Sequence, residues 1–233
     1  MADAKAKEKN IGTTSQPIFR TPLVLFAILD LALLGTRLWP WQNVLSLPDN
    51  GATGIDPAVS LAAYIGLALL IGRTRTPTAR KSLFTSGLLG VVGGLLLSGY
   101  VFVSGQAETG DVTPSQYMQI GLLMATAVLW GLAGLRASRA KESFGWSVVC
   151  ATWSALVSCT IAFAAAVGQV YVIAAPSESS DPWKQYEGLA LGSAATQSLV
   201  HSLNTATGFL LIGPLVALLT GALFAYLGRP RSS

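Results

Sequence analysis

The chain has 233 residues, of which 52% are apolar and only 11% are charged, and its mean hydropathy is +0.54. A soluble globular domain carries roughly 25% charged residues, so this composition excludes an ordinary soluble domain and predicts a protein that lies mostly in lipid. Basic loops beside anionic lipid explain the net charge of +4 and the pI near 9.2, which therefore do not predict nucleic-acid binding.

Six apolar stretches follow one another along the chain, each close to the roughly 20 residues that a membrane-spanning helix needs. They lack the alternating pattern of a membrane β-barrel. The sequence therefore predicts an all-α, polytopic integral membrane protein with a six-helix transmembrane bundle. The predicted spans are 22–39, 57–73, 77–103, 114–136, 145–174 and 204–227. A basic tail (1–21) precedes the first span, and a C-terminal tail (228–233) follows the last. An outer loop with a short extra helix (176–203) separates the fifth span from the sixth.

The predicted helix starts share one pattern, an oxygen-bearing side chain followed by proline. The oxygen accepts a backbone N–H that the first helical turn leaves unpaired, and proline has no N–H to leave unpaired. The pattern occurs at Thr21-Pro22, Asp56-Pro57, Thr76-Pro77, Thr113-Pro114 and Asp181-Pro182. The last pair predicts the short helix of the outer loop.

Charge is segregated between alternate loops. All lysines and arginines except Arg37 and Lys184 lie in the two tails, in the loops after the second and fourth spans, or at the span ends that adjoin these loops. Basic residues collect on the side of the membrane that is not translocated. The sequence therefore predicts that both termini are cytoplasmic, and the pattern is typical of a bacterial inner membrane. The first span is expected to stay uncleaved, because no small-residue cleavage site follows it.

One acidic residue, Asp30, lies near the middle of the first span, and Arg37 lies two helical turns closer to the outer surface. An ionisable group at the bilayer centre is costly and must find a partner or water. One interpretation makes Asp30 a packing residue while Arg37 reaches outward to lipid phosphates. The functional interpretation places Asp30 on a polar path or gives it a coupling proton.

A polar stripe precedes the sixth span, because Gln197, His201 and Asn204 follow helical spacing. Gln169, in the fifth span, is expected at a similar depth, as is Arg37. Together with Asp30, these groups predict a polar site in the outer leaflet, in which His201 is able to change charge near neutral pH. The alternative is a hydrogen-bonded helix start with a wetted histidine.

Small residues are expected to form the contacts between helices, because lipid gives helices no hydrophobic reason to associate. The third span is the richest in glycine, with Gly87, Gly90 and Gly94 on related faces. The pattern favours a seam inside the bundle. A homo- or hetero-oligomer through these glycines is the alternative.

No catalytic, cofactor or metal site is predicted. The single histidine excludes haem held by paired histidines, and Cys150 and Cys159 are too far apart in sequence for a Cys-x-x-Cys redox unit. Nucleotide-binding glycine fingerprints are absent from the sequence. Catalysis is therefore not favoured. An enzyme that uses outer-loop residues rests on Asp181, Lys184, Glu187 and His201, which are explained more simply as a solvated rim.

Two functions from different classes remain. The first is a small-solute or ion permease, which the acidic residue in the first span and the polar stripe favour. The second is a non-catalytic subunit or scaffold of a larger membrane complex, favoured by glycine-rich helices, short inner loops and the lack of a reactive group of residues. The sequence does not name a substrate.

Overall fold

The computed structural model describes residues 24, 25, 27–30, 32, 52–71, 77–106, 113–140, 143–173 and 194–228. All regular secondary structure in this part of the chain is α-helical. We label the helical residues 24, 25, 27–30 and 32 as α1. The other helices are α2 (Ala52–Ile71), α3 (Pro77–Gln106), α4 (Thr113–Arg139), α5 (Phe144–Ile173) and α6 (Ala194–Leu227).

Four of these helices are long and apolar enough to cross a membrane. The apolar segments are Pro77–Ser104, Gln116–Arg139, Phe144–Gly168 and Thr205–Leu227. The apolar part of α2, Val59–Ile71, is shorter. The prediction of a helical integral membrane protein is therefore confirmed, while the count of six spans stays a prediction.

Of the three proline-pattern starts in the described residues, two agree with the structure and one differs. Helix α3 begins at Pro77 and α4 begins at Thr113, as predicted. Helix α2 begins at Ala52, ahead of the predicted start at Pro57. A proline this close to a helix start removes a single intrahelical hydrogen bond, so the helix can continue through it.

Helix α6 begins at Ala194, well ahead of the predicted start at Asn204. Residues 194–203, which were assigned to the outer loop, are therefore part of the same helix as the last apolar segment. The two alanines that open it are strong helix formers. The predicted short helix near Pro182, the two tails and the remaining loop residues lie outside the described residues.

Helices α3, α4, α5 and α6 all contact one another, and we call this unit the four-helix core. Helix α5 lies at its centre, since 67% of its apolar segment is buried, against 39% or less in the other three. Small side chains let neighbours approach α5 on every side. Those that are fully buried include Ala151, Ser154, Ala155, Ser158, Ala162 and Ala166. Helix α2 packs outside this unit, mainly on α6.

The glycines of α3 pack against α5, which confirms the predicted internal seam. A Cβ atom added at Gly90 would lie 2.6 Å from the Ser154 carbonyl oxygen, and one at Gly94 would lie 2.8 Å from Cβ of Ile161. Gly87 is also buried. An oligomer through α3 stays a prediction. The exposed face of α3, which a partner chain could contact, carries Leu88 and Leu95 and not these glycines.

Candidate functional site

Asp30 is buried on the inner face of α1, and its side chain is only 1% exposed. Ala27, one turn earlier, is buried in the hydrophobic core cluster that also contains Leu61 and Tyr64 of α2. Ile28 and Leu29 on the other face of α1 are about half exposed. The carboxyl group is therefore turned toward the bundle and away from lipid.

Neither carboxylate oxygen of Asp30 has a hydrogen-bond partner among the described residues. An unpaired polar group in an apolar environment costs free energy, and a carboxylate costs far more than a neutral group. Asp30 must therefore take a proton, bind a cation or contact a charged group. If α1 is the membrane span that the sequence predicts, such a residue indicates a functional site.

The other predicted site residues are described less completely. Gln169 lies on α5, and His201 and Asn204 lie on α6, but their side chains are outside the described part of the structure. Arg37 is also outside it. The convergence of these four side chains with Asp30 therefore stays a prediction.

A hydrogen bond joins α2 to a backbone carbonyl of α6 that has no hydrogen-bond donor within its own helix. Pro214 lies inside α6, so the carbonyl oxygen of Leu210, four residues earlier, has no intrahelical N–H donor. The Tyr64 hydroxyl donates a hydrogen bond to this oxygen at 2.7 Å. In lipid, such a carbonyl must be paired by another helix or by water. Tyr64 therefore compensates for Pro214 and attaches α2 to the four-helix core.

A second group of hydrogen bonds joins α3, α4 and α5. The Ser158 hydroxyl lies 2.8 Å from the Gly90 carbonyl oxygen and 2.9 Å from its own helix's Ser154 carbonyl oxygen, and donates its proton toward them. It accepts a hydrogen bond from Nε1 of Trp130 at 3.0 Å. Gly93 makes room for it, because a Cβ at that position would lie 2.7 Å from the serine oxygen. One serine therefore connects three helices.

The two groups are adjacent, because Cys159 follows Ser158 on α5. The Cys159 thiol lies within hydrogen-bonding reach of the Tyr64 hydroxyl and packs directly against Gly213 of α6. We call Tyr64, Trp130, Ser158 and Cys159, with the carbonyls of Gly90 and Leu210, the polar tier. It lies near the middle of the bundle and reaches every helix from α2 to α6. Cys150 and Cys159 are both buried free thiols, as predicted.

Sequence reasoning missed the polar tier, although two residues signalled part of it. Pro214 within an apolar span implies an unpaired carbonyl at Leu210. Trp130 lies far from the ends of its span, where tryptophan is most common, so its buried N–H requires an acceptor. Neither signal identifies the partner. Ser158 and Tyr64 are distant in sequence from the groups they bind.

Among the described residues, no three His, Cys, Asp or Glu side chains are grouped closely enough to hold a metal ion. Comparisons with protein-family models, with curated proteins and with solved structures found no match for this chain. Function is therefore inferred from Asp30, from the polar tier and from the packing around them.

Proposed function

We propose that the protein is a small-solute or ion permease in which Asp30 is the coupling or binding charge. The observation that carries this proposal is the buried, unpaired carboxyl group on α1, the helix of the predicted first span. Such a group lowers stability unless it binds a cation or a proton at some stage. Transporters use intramembrane acids in this way.

The position of Asp30 supports the proposal. It lies on α1, whose Ala27 belongs to the same hydrophobic cluster as Leu61 and Tyr64 of α2. Polar groups at the contact between α2 and the core are the Tyr64 hydroxyl and the Leu210 carbonyl, which Pro214 deprives of its helical donor. Proline-interrupted helices and their free carbonyls commonly form substrate and ion sites in transporters. We therefore place the transport path along this contact.

The register of α5 and α6 favours a polar site in the outer leaflet. Gly213 faces Cys159, and Gly221 faces Ala151, so the helices are antiparallel and advance in step. Extended toward the start of α6, the same register places Asn204 level with Gly168, which precedes Gln169. The backbone positions of Gln169, His201 and Asn204 are therefore near one another in depth, as a shared site requires.

A second candidate, a non-catalytic subunit or scaffold, is favoured by the packing of the four-helix core. Its centre is filled by Leu97, Leu156 and Phe163, all fully buried. Several hydroxyl groups bond to their own helix, as Thr126 does to Leu122 and Thr160 to Leu156. A core closed in this way provides rigidity but no path, so transport through its middle is not part of our proposal.

We also propose six spans with both termini in the cytoplasm of a bacterial cell. The start of α3, the end of α4 and the end of α6 lie at one end of the bundle. Lys81 and Arg136 line the same groove, and the Ser138 hydroxyl donates to the Ala225 carbonyl at 3.0 Å, near the end of α6. Helix α6 therefore ends on the side of the bundle that carries Lys81 and Arg136, which agrees with the proposal that this side is cytoplasmic.

Flux measurements test the permease. The purified chain is reconstituted into liposomes, protons are followed with an internal pH dye, and small solutes and salts are followed by light scattering. We expect the wild type to accelerate at least one of these fluxes. Asp30→Asn, which keeps the size and removes the charge, is expected to return that flux to the level of protein-free liposomes. Leu29→Ala, on the exposed face of α1, is the matched control and is expected to keep it.

Absence of acceleration for every probe would contradict the permease, and co-purification with fixed partner chains would then support the scaffold.

Labelling with a membrane-impermeant maleimide tests the orientation. Cys150 and Cys159 are buried, so they give little background. A single new thiol, Ser232→Cys, is expected to react in inside-out vesicles and not in intact cells. The opposite result would reverse the orientation.

A further inference from the structure

A groove of about 230 Å³ opens at the basic end of the bundle, between the start of α3 and the end of α4. It is separate from Asp30 and from the polar tier. Its lining includes Thr78, Lys81, Ser82, Leu89, Ala133 and Arg136. The two walls are antiparallel, so the first turns of α3 and the last turns of α4 form its mouth.

The mouth of the groove is basic. Lys81 comes from one wall and Arg136 from the other, and both side chains are exposed. The acids in the described part of the chain are Asp30 and Asp56, and neither lines the groove. The positive charges are therefore not neutralised within the described structure. A lysine and an arginine facing each other suit a phosphate group, with arginine able to bind two of its oxygens.

Hydroxyl groups and the helix start add to this preference. The Thr85 hydroxyl donates to the Lys81 carbonyl, and the Ser86 hydroxyl donates to the Ser82 carbonyl. Their protons are therefore used within α3. The hydroxyls of Thr78 and Ser82 lie closer to the mouth. The start of α3 also presents the positive end of its helix dipole, which favours an anion.

Deeper along the groove, past Thr85 and Ser86, whose hydroxyls bond within α3, the lining becomes apolar. Leu89 lies eleven residues beyond Thr78 on α3, which corresponds to roughly 16 Å along a helix. On α4, Ala133 lies about one turn deeper in the groove than Arg136. On the same two helices, Phe84, Leu88 and Leu132 are exposed apolar side chains. A ligand that is anionic at one end and apolar at the other matches this gradient.

We propose that the groove binds the phosphate headgroup of an anionic phospholipid from the leaflet at the basic end. Lys81 and Arg136 contact the phosphate, Thr78 and Ser82 donate hydrogen bonds to it, and an acyl chain extends along Leu89 and Ala133. This site is independent of transport, since either a permease or a scaffold would hold a lipid there.

Lipid binding to the purified, delipidated full chain tests the site. Native mass spectrometry in detergent counts bound molecules of phosphatidylglycerol, with phosphatidylcholine as the lipid of no net charge. We expect one molecule of phosphatidylglycerol to bind more tightly than any others. Lys81→Gln with Arg136→Gln is expected to weaken that binding about tenfold or more, because each change removes a charge-assisted hydrogen bond to the phosphate.

The matched control is Arg80→Gln with Arg139→Gln, which removes the same charge from exposed positions on the same two helices. We expect it to weaken the first binding step less than about threefold, through loss of general attraction alone. Equal losses in the two double variants would overturn the proposal, because the attraction would then be diffuse. Displacement of the lipid by equal concentrations of glycerol 3-phosphate would also overturn it and assign the groove to a soluble phosphate compound. Unchanged helical content by circular dichroism establishes that both variants fold.

Discussion

Buried polar groups are paired differently in two regions of the molecule. One region is the four-helix core, and the other is the contact of α1 and α2 with that core. In the core, Ser158 joins three helices and Gly90 brings two backbones together. At the contact, Asp30 has no partner among the described residues, and Tyr64 compensates for a proline. The core is built for close packing. Helix α1, outside the core, carries the Asp30 carboxyl group, whose burial does not stabilise the fold.

The core also contains buried polar groups without a partner in the described structure, but they differ from Asp30 in being neutral. The Ser154 hydroxyl and the indole nitrogen of Trp153 are also buried without a partner in the described structure. Both are neutral, and a neutral polar group costs much less to bury than a carboxylate. The comparison therefore concerns charge: the core tolerates unpaired neutral groups, whereas an ionisable group is found on α1. We interpret the first unit as the scaffold and the second as the functional part.

The largest expected effect breaks the core at its closest contact. Gly90→Leu forces a side chain into the Ser154 backbone and Val157, and we expect it to lower the free energy of unfolding by about 3 kcal/mol. The measurement is denaturant unfolding in detergent, followed by circular dichroism. Gly121→Leu is the control, because that glycine of α4 has no atom within 4 Å of an added Cβ. Equal losses at the two positions would show that the contact between α3 and α5 is not tight.

A smaller effect tests whether Ser158 connects the core. Ser158→Ala leaves the Trp130 N–H buried without an acceptor, and we expect a loss of about 1.5 kcal/mol. Ser98→Ala is the control, because the Ser98 hydroxyl bonds to Gly94 on its own helix, and it is expected to cost about 0.5 kcal/mol or less. A double-mutant cycle with Trp130→Phe measures the coupling. Additive effects would mean that the tryptophan and the serine act independently.

The sequence predicted the core better than the contact around it. The glycine spacing identified Gly90 and Gly94 as seam residues because close packing depends on local composition. Asp30 was identified because an acid in an apolar span is unusual. The bonds of Tyr64 and Trp130 were not predicted, because their partners are distant in sequence and depend on how helices are arranged. The early start of α6 was missed because the predicted span was bounded by its apolar residues, although the helical spacing of Gln197, His201 and Asn204 already extended ahead of them.

The contact between α2 and α6 provides the next test. Tyr64→Phe leaves the Leu210 carbonyl unpaired, and we expect a loss of about 1 kcal/mol in the same unfolding measurement. Pro214→Ala restores an N–H donor to that carbonyl. In the Pro214→Ala background, Tyr64→Phe is therefore expected to cost clearly less than it does alone. An equal cost in both backgrounds would show that Tyr64 acts through packing and not by replacing the lost helical hydrogen bond.

The smallest expected effect has the opposite sign. Asp30→Leu replaces a buried, unpaired carboxyl group with an apolar side chain of similar size, and we expect it to raise the free energy of unfolding by about 0.5 kcal/mol. Thr126→Val is the control within the core, because its hydroxyl bonds only to its own helix at Leu122. A gain in stability on replacement is the behaviour expected of a residue that is kept for function at a cost in stability. A loss of more than about 1 kcal/mol would instead show that Asp30 is paired and holds α1 to the bundle, because breaking a buried polar pair is destabilising. The unpaired charge would then no longer distinguish this contact from the core.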